Sequence, residues 1–275
     1  MKSLVDGGIR MGEAIVITSG KGGVGKTTTT ANLGISLALM GKKVCLVDTD
    51  IGLRNLDVVM GLENRILFDL IDVIEGNCRL KQALVKDKRF DALYMLPAAQ
   101  TKDKNAVKPD QLKSLVDELK KDFDYVLIDC PAGIEQGFKN AIAGADHAII
   151  VTTPEVAAVR DADRIIGLLE AEKHIDEPKL IVNRIRPHMA KKGEMLTVEE
   201  LVQILAIDLI GVVVDDEEVI HSANRGEPTA LNPDTLSGLA YRNIARRILG
   251  ETVPLMNLEQ KNGIMNKFRK LLGIR

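Results

Sequence analysis

The chain has 275 residues, which allows one large domain or two small ones. Hydrophobic residues make up 45% and charged residues 28%, a balance typical of globular rather than disordered proteins. Lys and Arg number 37 against 39 Asp and Glu, so the formal charge of −2 argues against a globally basic nucleic-acid binder. The chain lacks Trp, which disfavours a base-stacking platform. Its three cysteines have no CxxC spacing, which disfavours a zinc site and fits reduced thiols in a cytosolic protein.

The first ten residues are polar and glycine-containing, and a second methionine, Met11, precedes the first β-like run. They lack the apolar core of a signal peptide. We expect residues 1–10 to be an added leader and Met11 to be the native start, with a native N-terminal extension as the alternative.

Short β-branched runs then alternate with helical patterns through residues 11–256. Strands are predicted at residues 14–18, 44–48, 93–96, 125–129, 147–152, 179–183 and 209–214. Helices are predicted at residues 26–40, 110–121, 155–173, 198–205 and 237–250. This alternation predicts an α/β domain with a doubly wound, mostly parallel sheet, helices on both faces, and ligands at the carboxyl ends of the strands.

The most specific motif lies between the first strand and the first helix. Residues 20–27 read GKGGVGKT and fill every fixed position of the phosphate-binding loop GxxxxGK[ST]. Glycines let successive backbone N–H groups and the helix N-terminus face phosphate oxygens. We expect Lys26 to reach the β- and γ-phosphates of ATP and the Thr27 hydroxyl to hold Mg²⁺. The predicted nucleotide-binding residues here are Gly20, Lys21, Gly22, Gly23, Val24, Gly25, Lys26, Thr27 and Thr28.

Lys21 is an addition to the general motif. With it, the loop reads KGGVGKT and resembles the deviant Walker A motif of the MinD/ParA superfamily of P-loop ATPases. The resemblance implies an ATP-dependent homodimer in which this lysine crosses to the nucleotide of the partner subunit. There it would neutralise charge that develops during hydrolysis, so that Lys21 and Lys26 are both catalytic candidates.

Two predicted strands end in acidic residues that can complete such a site. Asp48 and Asp50 follow one another at i and i+2, and Asp129 ends another apolar strand that leads into a Pro/Gly segment. The resemblance implies that Asp48 and Asp129 serve the magnesium ion and that Asp50 orients the attacking water. It also implies that Gly133 senses the γ-phosphate.

Adenine recognition is expected at the ends of two later strands. The resemblance places Asn183 against the edge of adenine, with Arg184 and Asp215 nearby. Relatives often carry a proline before the acidic residue, where this chain has Val214, so the pattern departs from the family at this point. A turn asparagine is the alternative interpretation of Asn183.

Three further segments resemble the MinD branch of the superfamily, whose members determine the site of the bacterial division septum. They are residues 51–57, 131–134 and 155–164. The resemblance implies binding of a MinC-like division inhibitor and a MinE-like or other regulator, with Asn55, Asp161 and Asp163 as contact residues. Solvated acids on an amphipathic helix are the alternative.

The C-terminal tail, residues 257–275, follows Pro254 and falls outside the strand–helix alternation. On a helix, its apolar side chains fall within about a 120° arc, with cations on the other side. The arc contains Ile264, Met265, Phe268, Leu271 and Leu272, and the cations are Lys267, Arg269 and Lys270. This pattern predicts a helix that targets an anionic inner-membrane surface from the cytoplasmic side. Docking on the domain's own core is the alternative.

Four functions remain possible from the sequence. The favoured one is a membrane-associating Mg²⁺-ATPase switch that positions the septum, with no specific nucleic-acid partner expected. A ParA-type ATPase that partitions DNA would need an exposed basic patch and gives no reason for the basic amphipathic tail. An iron–sulfur carrier of the same fold would need cysteines at the dimer face, and Cys45 and Cys130 are poorly placed for that. A ligase similar to dethiobiotin synthetase would need a dedicated small-molecule pocket.

Overall fold

The computed structural model describes residues 5–6, 9–102 and 106–256 of the chain. Its strands are β1 Val5–Asp6, β2 Ile9–Arg10, β3 Glu13–Thr18, β4 Val44–Asp48, β5 Val85–Lys86, β6 Leu93–Leu96, β7 Tyr125–Asp129, β8 His147–Thr152, β9 Lys179–Ile185 and β10 Asp208–Val214. Strands β1 and β2 pair with each other in antiparallel fashion, separately from the main sheet.

The helices lie between these strands and after the last one. They are α1 Lys26–Leu39, α2 Leu56–Met60, α3 Leu70–Ile74, α4 Leu80–Ala83, α5 Pro109–Asp122, α6 Gln136–Ala143, α7 Val156–Glu170, α8 Pro187–Lys191, α9 Val198–Leu205, α10 Glu217–Asn224 and α11 Leu236–Ile248. In the part of the chain that the structure describes, 3₁₀ turns at Glu63–Arg65 and Thr229–Leu231 accompany them. Within the described residues, no helix combines the length and the apolar character that crossing a bilayer requires.

Among the described residues, eight strands form the main sheet in the order β10–β9–β8–β3–β7–β4–β6–β5. All neighbours are parallel except β5 and β6, which form an antiparallel edge. The strand order reverses around β3, so the loop after β3 opens into the crevice where open α/β sheets bind ligands. The predicted doubly wound, mostly parallel fold is confirmed.

Alternate residues of each central strand enter two different hydrophobic cores. In β3, Ala14 and Val16 face the core beneath α5, α6 and α7, whereas Ile15 and Ile17 face the core beneath α1 and α11. Because both faces are covered, the strands are nearly continuous apolar runs, as parallel strands usually are. This burial on both sides holds the carboxyl ends of the strands in a fixed arrangement.

The predicted elements of the alternation agree with the structure to within a few residues. The largest differences are at α7, which begins at Val156 and ends at Glu170, and at β9, which extends two residues further to Ile185. The sequence did not predict the antiparallel edge strand β5 or the shorter helices α2, α3, α4, α6, α8 and α10. The predicted tail helix lies in residues 257–275, outside the described residues.

Candidate functional site

The phosphate-binding loop connects β3 to α1 at the middle of the sheet. Gly23 and Gly25 have positive φ angles of 79° and 102°, a region that favours glycine. Gly25 directly precedes the helix, which begins at Lys26. The loop therefore has the tight, side-chain-free turn that brings backbone N–H groups and the helix N-terminus towards an anion.

Lys26 is buried at the start of α1, with 7% of its surface exposed. Its ammonium donates to the Ser19 hydroxyl over 2.9 Å, and that hydroxyl donates to the carbonyl of Lys21 over 2.7 Å. Burial lowers the pKa of Lys26, whereas Cys130, Asp129 and Asp50 act in the opposite direction. A buried cation at the start of the helix that follows a phosphate-binding loop is well suited to receive a phosphate.

Two buried carboxylates lie beside each other at the ends of neighbouring strands. Asp48 of β4 is in register with Asp129 of β7. Asp48 is 1% exposed and Asp129 is 2% exposed. Burial raises the pKa of both carboxyl groups, and the proximity of Asp129 raises that of Asp48 further. Two such groups fit a divalent cation, which would compensate their charge.

Hydroxyl groups surround Asp129 from three sides. Thr27 bonds its side chain, and the Thr30 hydroxyl donates to its Oδ1 over 3.2 Å. The Thr49 hydroxyl donates to the backbone carbonyl of Asp129 over 2.7 Å. Sequence reasoning identified Thr27 but missed Thr30, Thr49 and Ser19. A signal for Thr30 exists, since it lies three residues after Thr27 and hence on the same side of α1.

The segment after β4 folds back around Asp48. Asp48 Oδ1 accepts from the backbone N–H of Asp50 over 2.9 Å, and its Oδ2 accepts from that of Leu56 over 3.3 Å. The carbonyl of Asp50 accepts from the N–H groups of Leu53 and Arg54, which closes a turn. Asp48 therefore organises the loop that carries Asp50, besides lying next to Asp129.

The segment after β7 brings Gly133 near the phosphate-binding loop. Gly133 has a φ of 92°, and a Cβ atom added to Gly22 would lie 3.7 Å from that of Ala132. Cys130 is buried, which raises the pKa of its thiol to about 12. A thiol in this state is unsuited to binding an iron–sulfur cluster, which removes one support from the iron–sulfur alternative.

Asn183 contacts the phosphate-binding loop directly. Its amide Nδ2 donates to the carbonyl of Val24 over 2.8 Å, and its Oδ1 accepts from the backbone N–H of Arg184 over 3.0 Å. A Cβ atom added to Gly25 would overlap the same Nδ2. The side chain is 5% exposed, so Asn183 braces the loop, a role that the sequence did not suggest. Its predicted contact with adenine stays a prediction.

The other two residues predicted to lie near adenine are exposed at the ends of β9 and β10. Arg184 adopts a positive φ of 57°. Asp215 accepts from Nε of Arg186 over 2.6 Å. The Arg186–Asp215 ion pair links the ends of β9 and β10. An adenine base against this edge is consistent with the geometry, and the individual contacts stay predictions.

Lys21 and α7 are neighbours. The Lys21 ammonium lies 3.8 Å from Oε2 of Glu155, and the two side chains are 47% and 62% exposed. A Cβ atom added to Gly20 would overlap the backbone of Asp161, so the loop packs tightly on this helix. Asp161 is half-buried, whereas Asp163 and Asn55 are exposed. Sequence reasoning missed the contact of Glu155, because the ion pair spans two distant segments.

Magnesium is a hard cation that takes oxygen ligands. Among the described residues, no three His, Cys, Asp or Glu side chains are grouped to hold a metal ion. Magnesium is commonly held by one or two carboxylates together with substrate phosphates and water. The Thr27 hydroxyl, Asp48 and Asp129 meet that description next to the phosphate-binding loop, so the residues fit a magnesium–nucleotide complex.

Comparisons with known proteins agree with this geometry. A family model described as an AAA domain matches residues 12–182. The septum site-determining protein MinD of Bacillus subtilis (strain 168) is 67% identical over 267 residues, which cover 96% of this chain and 100% of the relative. In the solved MinC:MinD cell division protein complex of Aquifex aeolicus, the matching chain is 49% identical, with a TM-score of 0.84 and coverage of 89% of this chain and 98% of that one. MinD complexed with Mg-ADP from Pyrococcus horikoshii OT3 is 30% identical, with a TM-score of 0.78 and coverage of 86% and 96%.

Proposed function

The chain belongs to the MinD family of septum site-determining proteins, and from this we propose that it is a Mg²⁺-dependent ATPase that alternates between cytoplasm and membrane. The observation that carries the proposal is one site with a buried Lys26, an adjacent Asp48–Asp129 pair and an exposed second lysine, Lys21. The relative complexed with Mg-ADP supports the choice of nucleotide and metal. The reaction is hydrolysis of ATP to ADP and phosphate.

Each residue has a defined task in this proposal. Lys26 and the loop N–H groups bind the phosphates, and Thr27, Asp48 and Asp129 hold the magnesium ion, which offsets charge on the phosphates. Asp50, at the start of the turn that Asp48 organises, orients the attacking water. Gly133, which has a positive φ in the segment after β7, responds to the γ-phosphate.

Lys21 makes hydrolysis depend on dimerisation. In the single chain, it is half-exposed and paired only loosely with Glu155, at 3.8 Å. Exposed ion pairs of this kind are worth about 0–1 kcal/mol, so a phosphate of a second subunit can readily replace the carboxylate. We therefore assign Lys21 to the nucleotide of the partner in an ATP-dependent homodimer.

Partner proteins would bind close to the same site. The relative solved as a MinC:MinD complex supports recruitment of a MinC-like inhibitor. The exposed side chains of Asn55 and Asp163 offer contacts for it, and the half-buried Asp161 lies against the phosphate-binding loop. A MinE-like or other regulator that binds there would lie next to Lys21 and could stimulate hydrolysis. A ParA-type function has less support, because the high-identity relatives are MinD proteins.

The tail would attach the dimer to the membrane peripherally, at its cytoplasmic face. Each cation near an anionic surface is worth roughly 1 kcal/mol, so one short helix binds weakly and reversibly. Two tails on one dimer bind more tightly, by about 10²–10⁴-fold where the geometry permits, because the second binds at high effective concentration. ATP would thus bring the protein to the membrane and hydrolysis would release it.

Sedimentation with anionic liposomes in ATP or ADP tests this function. The full-length protein should sediment in ATP and far less in ADP. Removal of residues 264–275 should abolish sedimentation and leave ATP-dependent dimerisation intact. Phe268→Glu should act likewise, since it places a charge in the apolar arc, whereas the matched control Asn266→Glu adds the same charge to the polar side and should weaken binding only modestly. Sedimentation of the truncated protein in ATP, or equal binding of the full-length protein in ADP, would refute the proposal.

A further inference from the structure

The chain that follows α11 is fastened to the edge of the sheet by one side chain. Arg247 donates from Nε to the carbonyl of Val253 over 2.8 Å and from Nη2 to that of Pro254 over 2.7 Å. Its Nη1 donates to the carbonyl of Ile210 in β10 over 2.9 Å. Residues 251–256 belong to neither a helix nor a strand. Arg247 therefore holds Val253 and Pro254 beside β10.

The last described residues of this segment form part of the wall of an apolar groove. Leu255 and Met256, the last two described residues, line it together with side chains from β9, α8, the start of α9 and β10. The apolar ones are Ile185, Pro187, Ala190, Val198 and Val212, and the polar ones are Lys191, Thr197 and Glu199. The groove has a volume of about 360 Å³, and Leu255 is 46% exposed. An exposed, largely apolar groove gains stability when another apolar group covers it.

The next residues of the same chain are well placed to occupy it. Residues 257–275 start directly after Met256, in the groove wall itself. Ile264, the first residue of the apolar arc, follows eight residues later, which is a reach of up to about 28 Å when extended. The arc presents Phe268, Leu271 and Leu272 on one side of a helix. Because the tail is covalently attached to Met256, its effective concentration at the groove is about millimolar.

We propose that in the monomer this groove holds the apolar side chains of the chain's own C-terminal tail. The proposal rests on the membrane-binding function proposed above and adds its regulation. The same apolar arc cannot occupy the groove and the bilayer at once. Only undocked tails can bind the bilayer, so the apparent membrane affinity equals the intrinsic affinity multiplied by the fraction of tails that are undocked. A dimer still binds, since two tails act together on the bilayer, while a monomer stays in solution.

Hydrogen exchange without lipid tests the docking itself. The full-length ADP-bound monomer is compared with the same protein ending at Gly263. If two thirds of the tails are docked, amides of residues 187–199 should exchange about 3-fold more slowly in the full-length chain, independently of protein concentration. Equal exchange rates would overturn the proposal. Protection that grows with protein concentration would also overturn it, because the occupant would then be a second copy.

A substitution in the groove provides a functional readout. Ala190→Gln places a polar amide in the groove and should raise liposome binding in ADP about 3-fold, as the docked tail is released. Val198→Ser should do the same from the opposite wall. His188→Gln is the matched control, since His188 is exposed on the same helix and does not line the groove. Unchanged or reduced binding in both groove variants would overturn the proposal, while loss of binding on truncation would still support the membrane function.

Discussion

Replacement of Asn183 by alanine is the sharpest test of how the phosphate-binding loop is held. The side chain joins the end of β9 to the loop through the 2.8 Å bond from Nδ2 to the carbonyl of Val24. Both residues are buried, at 5% and 3% exposure. Asn183→Ala leaves that carbonyl without its partner and also removes the acceptor of the Arg184 N–H.

An unpartnered buried carbonyl costs about 1–3 kcal/mol. The free energy of unfolding of the nucleotide-free protein should therefore fall by that amount in Asn183→Ala. The matched control is Asn55→Ala, since Asn55 is exposed and its side chain does not cap α2. A change at such a surface position is usually within about 0.5 kcal/mol.

A second substitution sharpens the test through non-additivity. Gly25→Ala forces alanine into a φ of 102° and places its Cβ against Nδ2 of Asn183. The backbone conformation costs on the order of 1–3 kcal/mol by itself. In the double variant, the steric overlap is absent, while the backbone cost and the cost of the unpartnered Val24 carbonyl both remain. The double variant should thus be about 1–3 kcal/mol more stable than the sum of the single effects predicts.

Urea unfolding of the unsubstituted protein and the four variants, all without nucleotide, measures these differences. Equal stability of Asn183→Ala and Asn55→Ala would refute the bracing role. If the destabilisation in the double variant equalled the sum of those of Asn183→Ala and Gly25→Ala, the added Cβ at position 25 would not contact Asn183. Competition between ATP and GTP for binding to Asn183→Ala tests the separate prediction that the Asn183 amide contacts adenine. If it does, this variant should discriminate less between ATP and GTP than the unsubstituted protein.

Three further predictions concern the charged groups of the site. Lys21→Ala should retain ATP binding but lose hydrolysis and the stable dimer, as seen in phosphate release and light scattering; normal turnover would place Lys21 outside the partner's site. Asp50→Ala should bind ATP and remain on liposomes, with turnover reduced on the order of 10²–10⁴-fold; near-normal turnover would assign the water to another group. Burial, with a smaller contribution from a neighbouring carboxylate, raises the pKa of Asp48 to about 8 and that of Asp129 to about 6. The folded protein therefore binds more protons than the unfolded chain, so stability without nucleotide should fall as pH rises from about 4 to about 8. Thermal unfolding from pH 5 to 8 should show a shallower fall in Asp129→Asn, and an identical pH dependence would contradict the shift.

The long elements were predictable because their patterns repeat over many residues. Buried parallel strands such as β4 and β7 are nearly continuous apolar runs, and α9 is preceded by Thr197, whose hydroxyl accepts from the N–H of Glu200. Helices such as α2 and α3 have five residues, too few for a helical period to emerge. Their ends are fixed by tertiary contacts instead, for example the bond from Leu56 N–H to Asp48.

The site likewise has residues that the sequence predicted and contacts that it did not. Motif spacing alone brought Lys26, Asp48 and Asp129 to one edge of the sheet, because the carboxyl ends of adjacent parallel strands meet there. Spacing carried no information about Asn183 bracing Val24 across 159 positions, nor about Glu155 lying next to Lys21. Such contacts depend on the side-chain conformations of segments that are far apart in the chain.

The charges of the site explain why binding of nucleotide can act as a switch. Without a cation, the buried Asp48 and Asp129 raise each other's cost of ionisation, and yet both also support neighbouring segments. Asp48 holds the N–H groups of Asp50 and Leu56, while Thr49 bonds the backbone of Asp129. A magnesium ion at this pair would favour the ionised carboxylates, which accept those N–H bonds more strongly. Metal and nucleotide would thereby order the segment that bears Asp50 and Asn55, so that catalysis and partner binding respond to the same event.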